Sequence, residues 1–414
     1  MVDVVVIGAG PSGCVAASYL YDRGYTVKVV EKSKFPRFVI GESLLPRCMD
    51  HFEESGLLDC LKKEQFEVKP GVRIVRKDKV CEFDFSHKHT EGWEWTWQVP
   101  RSDFDNALAN ELMRKGIEIS FETEVLDVVF KQDHAAVETR DKNGIHTITK
   151  GRYIIDASGF GRVLPKLMDL ETPGHISGNG SIFTHITEQN QPEGQIGRAP
   201  TFEIVNEKTW FWVIPFSNGN SSIGFVGPSE FIKSFEGDTS AVMTQMLSLL
   251  KNQSERFRNT QFLFNPVSVN FFSKSVKKNY GRRFAITGSS AEFIDPVFSS
   301  GVTFATESGL LAAKLIIKEL EGTTVDWETE YAQYLKSGVD VFASFVKEWY
   351  TGNLQKLFFD EQAEDRTKRQ ISSVLAGYVW DKTNPFVTKH KNIISSIAYF
   401  IDKKQENRKA AVLV

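Results

Sequence analysis

The sequence predicts an α/β protein in which one nucleotide-binding domain is assembled from separated stretches of chain, joined by an antiparallel sheet and followed by a helical C-terminal region. Three observations predict it. Residues 2–31 run strand, glycine loop, helix, second strand and terminal acid. The chain then returns to complete that first fold near residues 101, 156 and 285. Between the returns, residues 66–100 and 170–275 alternate apolar with polar positions, with turn residues between them, as an antiparallel sheet does.

Composition bounds the rest. A chain of 414 residues is too long for one small core, so two or three lobes are expected. Hydrophobic residues at 41 % and charged residues at 25 % are ordinary for a folded globular protein. The 32 phenylalanines suit either a large apolar pocket or a Phe-rich core. A net charge of −3 gives no reason to expect nucleic acid or an anionic membrane as partner. Cys14, Cys48, Cys60 and Cys81 form no C-x-x-C pair and meet no histidine cluster, so neither a metal nor a disulfide framework is expected. His87 and His89, two apart, read as a surface pair. The apolar run VDVVVIGAG near Met1 ends in glycines, which makes it a first strand and not a secretory core. No 18 apolar residues run uninterrupted, so no membrane span is expected and the reading is cytoplasmic.

Taken in order, Asp3 to Ile7 is a β-branched run, GAGPSG is the loop, VAASYLYDRG the helix and YTVKVVE the second strand. Gly8 lets the chain turn, Gly10 lets a pyrophosphate approach the backbone, and Gly13 lets helix and strand pack closely; Pro11 and Ser12 complete the loop. Free N–H groups at the helix start face the phosphates. Glu31, followed by Lys32, ends the second strand where a carboxylate accepts from ribose hydroxyls, and an acid there argues against a 2′-phosphate. This half-site takes the ADP moiety of FAD or of NAD. Later segments separate the two. VPRSDFDNALANELMRKGIEI sets Arg101 just before an amphipathic helix, GRYIIDASGFGR sets Asp156, Ser158 and Gly159 after a buried strand, and RRFAITGSSAEFIDPVFSSG leads through Gly288 and Ser289 into a long helix of small residues. A dehydrogenase needs one nucleotide fold followed by a catalytic domain, whereas this chain re-enters its first fold three times.

That discontinuous, Rossmann-like pattern resembles the FAD-binding fold of aromatic hydroxylases, prenyl reductases and flavin-dependent halogenases. The resemblance implies an FAD-binding domain over 1–65, 101–165 and 276–325, a substrate-domain sheet over 66–100 and 166–275, and a helical region over 326–414. It implies cofactor contacts from Arg101, from Val125, from Asp156 to Gly159, and from Gly41, Glu42 and Ser43 in the flavin-covering loop FPRFVIGESLLP. In the third FAD segment, usually G-D-A-A, this chain reads GSSA, so Ser289 stands where an aspartate would hold the ribityl chain.

Two longer motifs resemble the halogenase branch in particular. TWFWVIPF matches W-x-W-x-I-P at Trp210, Trp212, Ile214 and Pro215, and FIDPVFSSG matches F-x-x-P-x-x-S-x-G at Phe293, Pro296, Ser299 and Gly301, with Val302 following. The resemblance implies that reduced flavin and oxygen convert chloride or bromide into hypohalous acid, which a lysine then holds for the substrate. VKPGV implies Lys69 for that role, because burial can free the nucleophilic form of a lysine amine; a solvated lysine before a Pro-Gly turn would read the same. The halide would sit on backbone N–H groups near Ser300 and Gly301. Phe298 occupies the place of the glutamate that tryptophan halogenases carry, which points to a phenol or pyrrole, free or on an acyl carrier protein. Trp210 and Trp212 would wall the flavin off from the substrate, although a packed sheet would use the same letters. For the earlier copy, Trp95 and Trp97 in WEWTWQVP, a core role is expected.

With no second dinucleotide fingerprint, reduced flavin is expected from a separate NAD(P)H-dependent flavin reductase or from transient NAD(P)H. An aromatic monooxygenase, a prenyl reductase or dehydrogenase, and an inactive flavin-binding module are the alternatives on the same fold. From about Asp326 the character is helical, with Tyr331, Tyr334, Phe342, Phe345, Trp349 and Phe358 near helical spacing, and the charged tail from Asp402 is expected to fray.

Overall fold

A computed structural model describes residues 1–412, and of 175–177, 271–273 and 409–412 only the backbone. The chain forms two compact units. The first comprises Met1–Phe66, Val99–His175 and Ser273–Val339; the second comprises Glu67–Gln98, Ile176–Phe272 and Asp340–Val414.

The first unit is built on an eight-stranded sheet. Its strand Val2–Ile7 pairs in parallel with His146–Asp156 on one side and Val27–Val30 on the other, and Phe284–Ile286 and Glu118–Ser120 extend the parallel order outward. Val4, Val5 and Val6 are fully buried, as β-branched runs in a sheet covered on both faces must be. Register decides where chemistry can occur. Ile7 pairs with both Val30 and Asp156, and Asp156 with Ile286, so all four carboxyl ends finish level. The loops that leave them therefore gather at one edge, the usual ligand edge of an open α/β sheet. The hairpin Thr123–Phe130 and Ala135–Asp141 adds antiparallel to the start of His146–Asp156, and its Thr123 N–H donates to the Glu31 carbonyl at 3.0 Å.

Helix Ser300–Leu320 is the one helix among the described residues long and apolar enough to cross a membrane, but 72 % of its apolar window is buried. It is a core element of the first unit. It lies so close to helix Pro11–Tyr21 that a Cβ on Gly309 would meet the Ser12 carbonyl at 2.5 Å. Phe304, Leu310, Leu315 and Ile316 are buried along it, each contributing about 1.5–3 kcal/mol.

The second unit carries a seven-stranded sheet in the order Val267–Val276, Glu171–Thr187, Asn220–Pro228, Trp210–Pro215, Thr201–Ile204, Gly71–Arg76, Lys79–Asp84. The sheet expected as antiparallel contains one parallel pairing, Thr201–Ile204 with Gly71–Arg76. On one face Ile182, Phe211, Val213, Ile223 and Phe225 pack on Met243 and Met246 of helix Thr239–Leu247. Asp238 caps that helix by accepting from the Ala241 N–H at 2.9 Å. A separate two-stranded sheet pairs Glu67–Lys69 with Thr96–Gln98.

The aromatic stripe of the C-terminal helices is packing. Phe342, Phe345, Trp349 and Phe358 are buried in the second unit, and Tyr331, in the first, is fully buried with its hydroxyl donating to the Ile286 carbonyl. Helix Ile393–Val412 runs on through Asp402, with Lys356 on Asp402 at 2.6 Å and Lys403 on Glu406 at 2.8 Å. Leu413 and Val414 lie outside the described residues.

Candidate active site

At the level edge of the first unit the glycine loop is held by tight approaches. Gly8 has φ +101°, and a Cβ there would meet the Ala157 carbonyl at 2.5 Å; a Cβ on Gly13 would meet the Gly8 carbonyl at 2.0 Å. Helix Pro11–Tyr21 starts with Gly10 as N-cap and no side-chain cap, so its first N–H groups are left for a ligand. Glu31, buried, accepts from the Ala9 N–H at 2.9 Å and the Ser33 N–H at 2.8 Å, which fixes the loop while each oxygen keeps a lone pair. Ser12 donates to Thr287 at 2.8 Å, tying the loop to the segment that opens at Gly288, φ +54°.

Asp156 takes a different part from the one its motif suggests. It is fully buried, and its two oxygens accept from the Ser158 N–H at 2.9 Å and the Leu164 N–H at 2.7 Å, so it shapes the 157–163 turn from behind. Burial pushes its carboxyl above the usual range, against the pull of those hydrogen bonds. Ser158 and Gly159 (φ +57°) are the members of that motif left at the surface of the loop, with Lys32 reaching toward Gly161. Ser289 is half-buried; its carbonyl accepts from Arg162, which also binds Glu171 and the Ser275 carbonyl. Val125 packs on the apolar cluster of Ile7, Val30 and Leu164.

Arg101 is the first residue of helix Arg101–Lys115. Its guanidinium grips Asp105 by two bonds of 2.9 and 3.0 Å and donates to the Ile40 and Gly41 carbonyls at 3.3 Å, thereby anchoring the covering loop just ahead of Glu42 and Ser43, both buried. Arg37 is the functional candidate that motif reading missed. It shares Asp105 at 3.0 Å, stacks on Phe35, and its Nη2 lies 3.8 Å from where a Cβ on Gly10 would stand. Its place in FPRFVIGESLLP, a cation two residues past the loop's start, was the available signal.

The same unit holds the PVFSSG segment. Asp295 accepts from the Val297 N–H at 3.0 Å and sets the turn Pro296–Phe298, with Phe298 buried. Ser299 adopts φ +54° and starts helix Ser300–Leu320 without a side-chain cap. Ser300 is buried and Val302 buried, while a Cβ on Gly301 would meet nothing within 4 Å. The 21-residue helix thus starts uncapped with open space beside Gly301, a setting that suits an anion.

In the second unit, Trp210 and Trp212 lie on the sheet face opposite the Met243 core, with ring centres 5.9 Å apart. Phe202 and Phe183 extend the aromatic surface on either side. The indole N–H of Trp212 donates to Ser222 at 3.1 Å, and that of Trp210 to Tyr350 at 3.3 Å. Gly224 makes room, since a Cβ there would meet the Trp212 ring at 2.4 Å. Lys69 is 2 % exposed, stands opposite Thr96 in the small sheet, and has its Nζ 5.5 Å from the Phe85 ring centre. On the same face, Thr96 Oγ1 and Gln98 Oε1 are buried without a hydrogen-bond partner, while the Gln98 amide donates to the Arg198 and Pro215 carbonyls. Trp97 is buried, and an edge-to-face ladder links it through Trp95 to Trp93.

A glycine cradle too tight for side chains, an acid at the second strand's end and an uncapped helix start fit an ADP-bearing flavin, and define an FAD-dependent oxidoreductase. The FAD binding domain family matches residues 1–249. A 1H-pyrrole-2-carbonyl-(peptidyl-carrier protein) brominase of Pseudoalteromonas luteoviolacea is 27 % identical over 92 % of each chain. Among solved structures, a flavoprotein/dehydrogenase from Cytophaga hutchinsonii is 45 % identical with TM-score 0.95, over 98 % of this chain and 99 % of that one. The flavin-dependent brominase Bmp2 shares the fold at TM-score 0.83 and 24 % identity, over 97 % and 99 %. The chain belongs to the FAD binding domain family.

Proposed function

We propose that this oxidoreductase halogenates an electron-rich phenol or pyrrole, presented free or on an acyl carrier protein. The observation that carries the reading is the burial of Lys69, at 2 % exposure, in the position the halogenase motif marks. Lysine is among the side chains least often buried, and such burial is costly without a purpose. In balance, reduced FAD, oxygen, halide, arene and a proton give oxidised FAD, halogenated arene and two waters. Bound FAD and oxygen supply the oxidising power.

The residues of the chain divide the remaining work. The first unit binds FAD through Gly8 to Gly13, Glu31, Arg101 and the 158–159 and 288–289 turns, and the N–H groups at Ser300 and Gly301 hold chloride or bromide. In the second unit Lys69 donates a hydrogen bond to the hypohalous acid and directs it to the ring carbon, and Trp210 and Trp212 give the substrate a rigid aromatic face. Phe298 supplies no base, which suits a substrate whose own oxygen or nitrogen lone pair activates the ring. A separate flavin reductase delivers the reducing equivalents. The carrier-bound substrate named for the Pseudoalteromonas brominase supports a tethered pyrrole. The four cysteines are all free of disulfides, which suits a reducing cytoplasm.

The test is product mass from a phenol and pyrrole panel, including pyrrolyl carrier protein, with FAD, a reductase, NADH and bromide. Brominated product should form, and Lys69→Ala should lose it by at least about a hundredfold while still binding FAD. A second reading, an FAD-dependent dehydrogenase, is favoured by the name of the Cytophaga relative. Product without bromine, unchanged in Lys69→Ala, would establish that reading instead.

A further inference from the structure

The face of the small sheet that carries Lys69 holds more polar chemistry than the fold itself uses. Glu67 stands opposite Gln98 and Lys69 opposite Thr96, so these four side chains share one face, while Val68 and Trp97 share the other. Thr96 and Gln98 are fully buried. The Gln98 amide has one orientation. Its nitrogen donates to the Arg198 carbonyl at 3.0 Å and to the Pro215 carbonyl at 2.9 Å, and a flip would set oxygen against both. Oε1 is thereby fixed as an acceptor, and among the described residues nothing donates to it. The Thr96 hydroxyl is likewise buried without a partner.

Buried polar atoms are nearly always bonded, and each one left unbonded costs stability until a ligand completes it. Thr96 lies directly across from Lys69 and Gln98 one diagonal step away, both within reach of a long side chain. Around the lysine the face therefore offers N–H donors, one hydroxyl that can donate, and one oxygen that can only accept. Glu67, the remaining member, is half-buried and feels the charge of Arg198. Hypohalous acid has the matching groups. Its oxygen carries two lone pairs and one hydrogen, and it is small, as a face with Lys69 at 2 % exposure requires. Donors on both lone pairs polarise the oxygen–halogen bond and leave the halogen end for the ring. An amide oxygen, unlike a carboxylate, is too weak a base to take the proton, so the oxidant keeps its neutral, more electrophilic form.

We propose that Thr96 and Gln98 complete the oxidant site: the Thr96 hydroxyl donates, beside Lys69, to the oxygen of the hypohalous acid, and Gln98 Oε1 accepts its hydrogen. The inference rests on the halogenation reading and adds to it the two residues that keep the oxidant from escaping.

The test uses the full chain with FAD, a flavin reductase, NADH, bromide and the phenol and pyrrole panel, plus a freely diffusing β-diketone that traps escaped oxidant. Each variant is read by brominated arene, by brominated trap and by NADH consumed. Thr96→Val has the same shape without the hydroxyl. It should pass about tenfold less bromine to the arene for the same NADH, and correspondingly more to the trap. Its urea midpoint should hold or rise, because an unbonded buried hydroxyl is gone. Thr96→Ser should restore the yield on the arene. Gln98→Met should leak in the same way, although its lost bonds to the carbonyls of residues 198 and 215 lower its urea midpoint. If Gln98→Met does not fold, Thr96→Val and Thr96→Ser decide the matter. A wild-type partition in Thr96→Val, as a water in that place would give, would overturn the proposal. So would a lowered urea midpoint for Thr96→Val, which assigns the hydroxyl to the fold, or wild-type bromine in the trap alone. Bromine from the wild type in neither arene nor trap is a different result: the halogenation reading fails, and this inference with it.

Discussion

Arg101 spends its guanidinium on the protein itself, gripping Asp105 and the carbonyls of residues 40 and 41. Asp105 is 1 % exposed and has Arg37 as its other cation. Arg101→Gln therefore leaves a buried carboxylate half-compensated and releases the covering loop. We expect a loss of about 3 kcal/mol in urea unfolding and weaker FAD binding, where a residue that only touched ligand would lose affinity alone. The letters of this region were legible because their spacing is local: glycine loop, second-strand acid and the RSDFD helix start all declare themselves within a few residues. What Asp156 and Arg37 do was not legible. One turns its carboxylate inward onto backbone N–H groups, and the other reaches Gly10 by sharing an acid 68 positions away. Partners that remote leave no trace in a short motif.

At the scale of the element, the strand Trp210–Pro215 owes its two unlike faces to period-two alternation. Phe211 and Val213 point into the methionine core, which leaves Trp210 and Trp212 to share the other face. The spelling gave that alternation, but not the neighbour that permits it. Gly224 stands opposite Trp212 in register, and the indole lies over it. Gly224→Val should force the indole aside and cost about 1–3 kcal/mol from overpacking. The expected outcome is a changed near-ultraviolet circular dichroism spectrum and a lower urea midpoint; an unchanged spectrum would mean that the wall adapts. The parallel pairing of Thr201–Ile204 with Gly71–Arg76 was hidden for a related reason. An apolar–polar alternation marks a strand without naming its partner, and here the partner lies more than a hundred residues earlier. Nor did the charged tail reveal its helix, along which Lys356 reaches Asp402 from 46 residues earlier in the chain.

For the molecule as a whole, buried carboxylates set how it responds to acid. Burial alone would raise the Glu307 carboxyl, but His51 and Arg47 overcome that and hold it far below its ordinary 4.5. A depressed carboxyl contributes stability that is fully present above the unfolded value and is lost as pH falls through the folded one. Asp156 works in the opposite sense: raised from 3.8 by burial, it contributes most below that value and loses its contribution as pH rises through the folded one. Glu307 dominates the acid limb because its carboxylate is held by Arg47, His51 and the Tyr334 hydroxyl, whereas the Asp156 hydrogen bonds partly cancel its burial. Urea stability should therefore rise as pH climbs out of strong acid toward 4.5, the ordinary value of the Glu307 carboxyl, and level off above it. Glu307→Gln should be less stable at pH 7 yet show a flatter rise, since the titrating group is gone. Bound FAD adds to stability by mass action, about 2.7 kcal/mol at a hundred times its Kd. The acid-unfolding midpoint of the wild type should accordingly move to lower pH as FAD is added. A Glu307→Gln protein that keeps the wild-type slope would assign the acid limb to other carboxylates, and would remove Glu307 from the account of how this molecule is held together.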